Sequence, residues 1–281
     1  MTWVPIDDPR DPRIAPFVGL RDRELARPVA PGGRGVFIAE GDVVAERAIR
    51  AGYEPLAVLV DASRSDPLPP GMDAGVPVYA AAPAVLQRIT GLGVHRGLLA
   101  CFERRPPPPA AKVLDAARRV VVLERVSNPT NLGVILRSAA GLGMEAVLLD
   151  PTCSDPLYRR TARVAMGEGY GFPWAWIPRL PGGLDVLRAH GFRLIALTPD
   201  DGAVPLDELA LDGADDGGVD RRDERLALLF GAEGPGLSPG TLAAADVRAG
   251  IPMRGGVDSL NVGVAAGIAF WVLGRAGRQR D

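Results

Sequence analysis

The stretch VVVLERVSNPTNLGVILRSAAGLG, residues 120–143, decides the fold of this chain. Its first four residues form a continuous apolar run, which is typical of a strand covered on both faces of a parallel sheet. From Asn131 to Leu142 the apolar residues recur at helical spacing, and Asn131 is placed to cap that helix. Open α/β sheets bind their ligands where strands end and helices begin. The stretch therefore predicts an α/β fold with a ligand edge at this point.

The same alternation runs through the rest of the sequence. In the second half, strands are predicted at 146–149, 193–197 and 226–230, and helices at 156–166, 183–190 and 260–273. In the first half, strands are predicted at 35–39, 56–60, 76–79 and 97–102, with helices at 42–51, capped by Asp42, and at 83–90. Buried strands separated by helices indicate a parallel α/β sheet in the second half.

Proline marks the domain boundary. Four consecutive prolines at 106–109 favour a stiff extended spacer, because they cannot continue a helix or a central strand. We therefore predict a small N-terminal α/β domain at residues 1–105, a Pro-rich linker at 106–117 and a C-terminal α/β domain at 118–281. The acidic, glycine-rich stretch 212–224 is expected to be a surface loop.

Composition excludes several classes of protein. The chain has 281 residues, 47% of them apolar and 23% charged, which excludes wholesale disorder. A net charge of −2 excludes a generally basic nucleic-acid coat but allows a local basic groove. Two cysteines and two histidines argue against a disulfide framework and a metal site. No signal peptide or membrane span is expected, so we predict a cytoplasmic protein.

Two further segments differ from ordinary scaffold. In LFGAEGPGLS, residues 229–238, a buried strand enters a loop of three glycines with Glu233 at its centre. In IPMRGGVDSLNVGVAAG, residues 251–267, a short strand leads to Ser259, a natural helix cap, and to a helix lined with small residues. Each motif alone also fits a bland interpretation: a helix cap with Arg137 in a half-buried ion pair, a tight turn with Glu233 exposed, or a capped helix.

Taken together, the segments resemble a known family. Asn-x-Gly-x-x-x-Arg, Gly-x-Glu-Gly-x-Gly-Leu-Ser and Ile-Pro-Met…Ser-Leu-Asn-Val, in this order, resemble the three motifs of the SpoU/TrmH class of SPOUT RNA ribose methyltransferases. The resemblance covers about residues 118–275 and includes the segment 158–173. The first half, best at Phe37–Gly41, is similar to the small RNA-binding domain that precedes the catalytic domain in many members. One departure is Gly263, where members often carry a second serine.

The resemblance implies a fold and a reaction. It implies a SPOUT α/β domain with a parallel sheet and a deep trefoil knot, S-adenosyl-L-methionine as cofactor, and a homodimer with the active site near the interface. The reaction is methylation of a ribose 2′-hydroxyl in structured RNA, with ribosomal RNA slightly favoured over transfer RNA. Two alternatives remain: a non-catalytic RNA-binding or ribosome-assembly protein on the same scaffold, and a Rossmann-type enzyme, against which the missing glycine fingerprint counts.

The resemblance also assigns residues. Arg137 is expected to stabilise the developing alkoxide, Asn131 to fix Arg137 or the RNA backbone, and Glu233 to orient Arg137 or a loop. Ser259 and Asn261 are expected to face the substrate. The cofactor contacts are expected at Leu197, Thr198, Gly231, Ile251, Met253 and Leu260. Gly231 is expected to tolerate no β-branched side chain, because the ligand would approach its backbone.

RNA binding by a chain of net charge −2 requires arginines gathered on one surface. The candidates are Arg34, Arg47, Arg104, Arg105, Arg125, Arg159, Arg160 and Arg163. The alternative for each is an ordinary solvated or ion-paired arginine.

Overall fold

A computed structural model describes residues 3–27, 33–72, 75–91, 97–200, 202–211 and 224–274. Two units are distinguished: unit 1 comprises Met1–Pro106 with Asp155–Gly171, and unit 2 comprises Pro107–Ser154 with Phe172–Asp281. The predicted acidic loop lies outside the described residues except for Glu224. The described part contains no helix long and apolar enough to cross a membrane.

Unit 1 is built on a five-stranded mixed sheet. Its strands are β1 (Val4–Pro5), β2 (Val36–Glu40), β3 (Pro55–Asp61), β4 (Val78–Ala81) and β5 (Leu98–Glu103), and they lie in the order β1-β4-β3-β5-β2. β4 is parallel to β1 and β3, whereas β5 is antiparallel to β2 and β3. The helices before the proline run are α1 (Asp22–Leu25), α2 (Asp42–Arg50) and α3 (Pro83–Thr90). Asp42 is the first residue of α2 and not its cap, because the cap position is Gly41 at φ 95°.

Residues 155–171 pack with unit 1. This segment carries the short helix α6 (Arg159–Val164), and Arg159 and Arg163 both pair with Glu40 at the end of β2. The Tyr170 ring lies 5.2 Å from that of Phe37, centroid to centroid. The units therefore differ from the predicted domain limits, which place this segment in the C-terminal domain.

Unit 2 contains a seven-stranded sheet in which every pairing is parallel, as predicted. Its strands are β6 (Arg119–Leu123), β7 (Ala146–Leu149), β8 (Trp174–Trp176), β9 (Phe192–Leu197), β10 (Val204–Pro205), β11 (Arg225–Phe230) and β12 (Val247–Gly250). Their order is β10-β12-β9-β11-β6-β7-β8. The helices are α4 (Ala110–Ala116), α5 (Pro129–Gly141), α7 (Asp185–Ala189), α8 (Leu206–Leu211), α9 (Pro239–Ala244) and α10 (Val262–Leu273).

The predicted linker at 106–117 is only partly extended. The chain has no regular structure at 106–109 and then forms α4, which buries Val113 and Leu114 in the core of unit 2. The helix starts directly after the last proline, because Pro109 occupies the cap position. The N–H that a proline lacks has no partner within the helix at that position, so no hydrogen bond is lost.

Helices α5 and α10 pack at very close range. A Cβ atom added at Gly263 would lie 2.8 Å from Cγ1 of Val134, closer than real contacts allow. Gly263 is therefore required by this packing, which accounts for the departure from the family pattern. The opposite side of α10 is exposed and apolar along Val264, Ile268 and Trp271.

Candidate active site

A cavity of about 340 Å³ lies in unit 2 where β9, β11 and β12 end. The glycine loop after β11, defined here as Gly231–Leu237, forms one wall, and the crossing loop, defined as Ile251–Asn261 between β12 and α10, forms another. All six residues predicted to contact the cofactor line this cavity: Leu197, Thr198, Gly231, Ile251, Met253 and Leu260. Glu233, Ser259 and Asn261 line it as well.

Three predicted site residues form one hydrogen-bonded cluster at the cavity. Nδ2 of Asn131 donates to Oε2 of Glu233 at 3.0 Å, and Nδ2 of Asn261 donates to Oδ1 of Asn131 at 3.1 Å. Nδ2 of Asn261 also lies 3.4 Å from Oε1 of Glu233. Residues from three distant motifs therefore meet around one carboxylate.

The amide orientations in this cluster follow from a backbone donor. The N–H of Gly263 donates to Oδ1 of Asn261 at 2.9 Å, so that oxygen is the acceptor and the Asn261 nitrogen must point to Asn131. Asn131 then accepts the hydrogen bond from Asn261 on Oδ1 and donates one from Nδ2 to Glu233. The direction of each bond is thus fixed by the start of α10.

Both helix caps differ from the prediction. Asn131 lies inside α5 and is buried, whereas Asn128 caps the helix through Oδ1, which accepts from the N–H of Thr130 at 2.9 Å. Ser259 lies in the crossing loop, and Asn261 caps α10. The prediction was wrong on both caps, because Pro129 already occupies the first turn of α5 and the chain enters α10 two residues after Ser259.

Gly231 is constrained by its own loop. A Cβ atom at this position would lie 2.0 Å from the carbonyl carbon of Gly236 and 2.2 Å from the nitrogen of Leu237. The N–H of Gly236 donates to the oxygen of Ala232 at 2.9 Å and closes the glycine loop. Close approach of the loop's two ends is therefore a reason for the glycine that the sequence did not indicate, and close approach of a ligand to Gly231 stays a prediction.

Arg137 stands apart from the cavity. It lies on α5 with an exposed side chain and makes no hydrogen bond or ion pair with any described residue. The half-buried ion pair of the bland interpretation is absent from the described part. A guanidinium without a partner among the described residues is available to another molecule.

A charged pair supports the glycine loop: Glu124, which the sequence did not indicate, and Arg125, which was expected to bind RNA. Glu124, directly after β6, is buried and accepts the N–H of Ser238 at 2.9 Å. Arg125 adopts the left-handed backbone region at φ 58° and donates from Nη2 to the oxygen of Gly236 at 3.1 Å. A carboxylate and a guanidinium directly after a buried strand at the ligand edge were the available signal.

The arginines proposed for RNA binding are mostly engaged within the chain. In unit 1, Arg34 pairs with Glu103, Arg47 with Glu168, and Arg104 with Asp155. Arg159 and Arg163 share Glu40, Arg105 donates to the oxygen of Gly52, and Arg160 has an interaction of its own. These seven arginines therefore follow the ion-paired or engaged alternative.

The described residues contain no group of three His, Cys, Asp or Glu side chains arranged for a metal ion. A second cavity of about 440 Å³ shares Pro199, Ile251 and Met253 with the first. Asp200 and Asp258 are the charged residues among its described lining.

Comparison with known proteins gives consistent matches. The family model described as the SpoU rRNA Methylase family matches residues 118–271. An uncharacterized tRNA/rRNA methyltransferase of Mycobacterium bovis is 42% identical over 271 residues, 96% of this chain and 91% of that protein. The 23S rRNA (guanosine-2'-O-)-methyltransferase of Acinetobacter baylyi is 31% identical over 214 residues, 73% of this chain and 80% of that enzyme. A crystal structure of an AdoMet-bound rRNA methyltransferase from Sinorhizobium meliloti has the same fold, with a TM-score of 0.76, 23% identity and 98% of each chain covered.

Proposed function

Because this chain belongs to the SpoU rRNA methylase family, we propose that it transfers a methyl group from S-adenosyl-L-methionine to a ribose 2′-hydroxyl in structured RNA, with ribosomal RNA favoured over transfer RNA. The observation that carries the proposal is the cluster of Asn131, Glu233 and Asn261 on the wall of a ligand-sized cavity. The relative from Acinetobacter baylyi is named for 2'-O methylation of 23S rRNA.

The residues present fit S-adenosyl-L-methionine. A volume of about 340 Å³ falls within the range of small-molecule sites, about 300–1,000 Å³. The described lining is mainly apolar side chains and glycine backbone, which suit an adenosine, and the one charged side chain among its described residues, Glu233, suits a cation. Leu197, Ile251 and Leu260 would hold the cofactor among the lining residues.

When bound, S-adenosyl-L-methionine would supply a methyl group from a positively charged sulfur, which would keep the bonding electron pair as a neutral thioether while the ribose oxygen gains the methyl group and loses its proton to solvent. The protein's task is to position the hydroxyl and stabilise its developing negative charge. Arg137 supplies that charge, since a guanidinium stays protonated and is a poor proton acceptor.

Arg137 acts in a site completed by a second copy of the chain. Its side chain lies outside the cavity of its own chain and has no partner among the described residues. Helix α10, which packs on α5, presents Val264, Ile268 and Trp271 to solvent. A stripe of this kind on the helix beside Arg137 supports a homodimer in which the guanidinium of one copy serves the cavity of the other.

The remaining parts of the proposal concern the RNA and the chain path. We propose that unit 1 binds the RNA and that the C-terminal segment of unit 2 threads through a knot, as the resemblance to the family implies. Seven of the eight candidate arginines lie in unit 1 and already interact with other residues of the chain. RNA binding by unit 1 therefore requires either other side chains or the release of these arginines from their present partners. We propose that the enzyme acts in the cytoplasm, where ribosomal RNA is available.

Mapping 2′-O-methylation in ribosomal and transfer RNA tests the proposal directly. RNA from a strain lacking this chain is compared with RNA from strains complemented by the wild type or by Arg137→Ala. We expect one ribose methylation in ribosomal RNA to vanish and to return only with the wild type. An unchanged map, with purified protein that binds no S-adenosyl-L-methionine, would favour the non-catalytic RNA-binding or ribosome-assembly protein.

A further inference from the structure

The two adjoining cavities carry charge of only one sign. Among the described residues that line them, the charged side chains are Glu233 in the first and Asp200 and Asp258 in the second. No basic side chain belongs to either described lining, although Arg254 occurs in the crossing loop itself. A ligand held here therefore meets a negative potential, which favours cations and disfavours anions.

The cluster around Glu233 keeps its carboxylate in place. Asn131 donates to one oxygen at 3.0 Å, and Asn261 approaches the other at 3.4 Å. Two amides that donate to the carboxylate satisfy it without neutralising it, since neither carries charge. An ionised carboxylate can accept about four hydrogen bonds. The two amides use two of these positions, so the others remain for a ligand.

We propose that Glu233 makes the site selective for the charge state of the cofactor, so that it retains S-adenosyl-L-methionine and releases the demethylated product. The inference rests on the proposed function. Methyl transfer turns a positively charged sulfonium into a neutral thioether, while the rest of the molecule keeps its charges. The attraction between Glu233 and the sulfonium exists before transfer and is absent afterwards. The same carboxylate thus strengthens the binding of S-adenosyl-L-methionine and does not strengthen the binding of the demethylated product.

The size of the effect follows from the exposure of Glu233. Its side chain is accessible to solvent, so the interaction is that of an exposed ion pair and not of a buried one. Such a pair corresponds to about a fivefold change in affinity at most, and salt screens it. We expect Glu233 to separate the two cofactor forms by this factor.

Isothermal titration calorimetry with the full chain tests the proposal with three ligands. They are S-adenosyl-L-methionine, S-adenosyl-L-homocysteine and sinefungin, which carries an ammonium group in place of the methylsulfonium. For Glu233→Gln we expect S-adenosyl-L-methionine and sinefungin to bind about fivefold more weakly than to the wild type. The affinity for S-adenosyl-L-homocysteine should stay within about twofold of the wild-type value. The unchanged affinity for the neutral-sulfur ligand reports that the cavity keeps its shape.

Asp185→Asn is the matched control. It removes one carboxylate from unit 2 at a side chain that is 84% exposed and lines neither cavity. We expect all three affinities to equal those of the wild type.

A salt series on the wild type provides a measurement that does not depend on any variant. Between about 0.05 and 0.5 M salt, the affinities for both cationic ligands should fall and that for the homocysteine form should hold, because screening acts only on the charge interaction.

The outcomes separate the two proposals. Equal loss of all three ligands in Glu233→Gln, or equal salt response, would mean that Glu233 only shapes the cavity and would overturn charge selection. Loss of no ligand would overturn it as well. Failure of the wild type to bind any of the three would overturn the proposed function, and charge selection with it.

Discussion

The contact between Gly263 and Val134 sets how closely α10 approaches α5, and Gly263→Ser perturbs it directly. The added Cβ would lie 2.8 Å from Cγ1 and 3.1 Å from Cβ of Val134, against ordinary contact at 3.4 Å or more. Overpacking of this kind costs about 1–3 kcal/mol. Replacing glycine in a helix returns up to about 0.5 kcal/mol. We therefore expect Gly263→Ser to lower the free energy of unfolding by about 1–2 kcal/mol.

Val134→Ala supplies the compensating change. It removes the Cγ1 contact and leaves those at 3.1 Å to Cβ of residue 134 and at 3.2 Å to Oδ1 of Asn261, which small shifts of the helices can relieve. We expect the double variant to be about 1 kcal/mol more stable than the sum of the single changes. Urea unfolding followed by tryptophan fluorescence measures this, since Trp174, Trp176 and Trp271 lie in unit 2. Additive effects, or a Gly263→Ser protein as stable as the wild type, would refute the packing argument.

Four further outcomes are expected. Arg137→Ala should abolish RNA methylation while calorimetry shows unchanged cofactor affinity, and Arg137→Lys should fail largely because an ammonium does not reproduce the guanidinium fork; near-normal turnover in either would remove Arg137 from the mechanism. Val264→Glu should convert the proposed homodimer to monomers in sedimentation velocity, because it places a charge in the apolar stripe of α10; an intact dimer would exclude that face. Gly231→Ala should lower both the melting temperature and cofactor affinity, since a Cβ there meets loop backbone at 2.0 Å; a thermally unchanged protein would contradict this. Burial raises the pKa of Cys101 and Cys153 to about 12, so both thiols stay protonated and should react with Ellman's reagent at about pH 8 only after unfolding; rapid labelling of the native protein would show that they are accessible.

Hydrophobic periodicity predicted most strands of both sheets because buried strands must be apolar on the faces they cover. The strand at 146–149 has the predicted bounds, and the one predicted at 226–230 begins one residue earlier. The two-residue strands β1 and β10 and the three-residue strand β8 were missed, since so few residues carry no period. The short strand expected from Ile251 onward lies instead at Val247–Gly250. Helix α4 was missed because the prolines before it indicated a spacer.

The sequence named most of the residues that meet at the cavity, with Arg137 lying apart from it, but not their geometry. Motif order brought Asn131, Glu233 and Asn261 together as candidates, but only the fold shows that two amides hold one carboxylate. The bond from Ser238 to Glu124 joins residues 114 positions apart, and no local pattern encodes such a contact. The contact across the glycine loop that Gly231 permits is likewise not encoded by any local pattern.

The path of the crossing loop explains why the cavity and the cluster belong together. Strands β12 and β6 are separated in the sheet by β9 and β11, and Asn131 follows β6 in sequence. The chain leaving β12 must therefore pass over the ends of β9 and β11 before Asn261 can reach Asn131 at 3.1 Å. That passage encloses the cavity, since the crossing loop supplies Ile251, Met253 and Leu260 to its lining. The hydrogen bond from Asn261 to Asn131 fixes the end of the crossing loop that forms this wall. We therefore expect ligand binding in the cavity and the packing of α10 against α5 to stabilise one another.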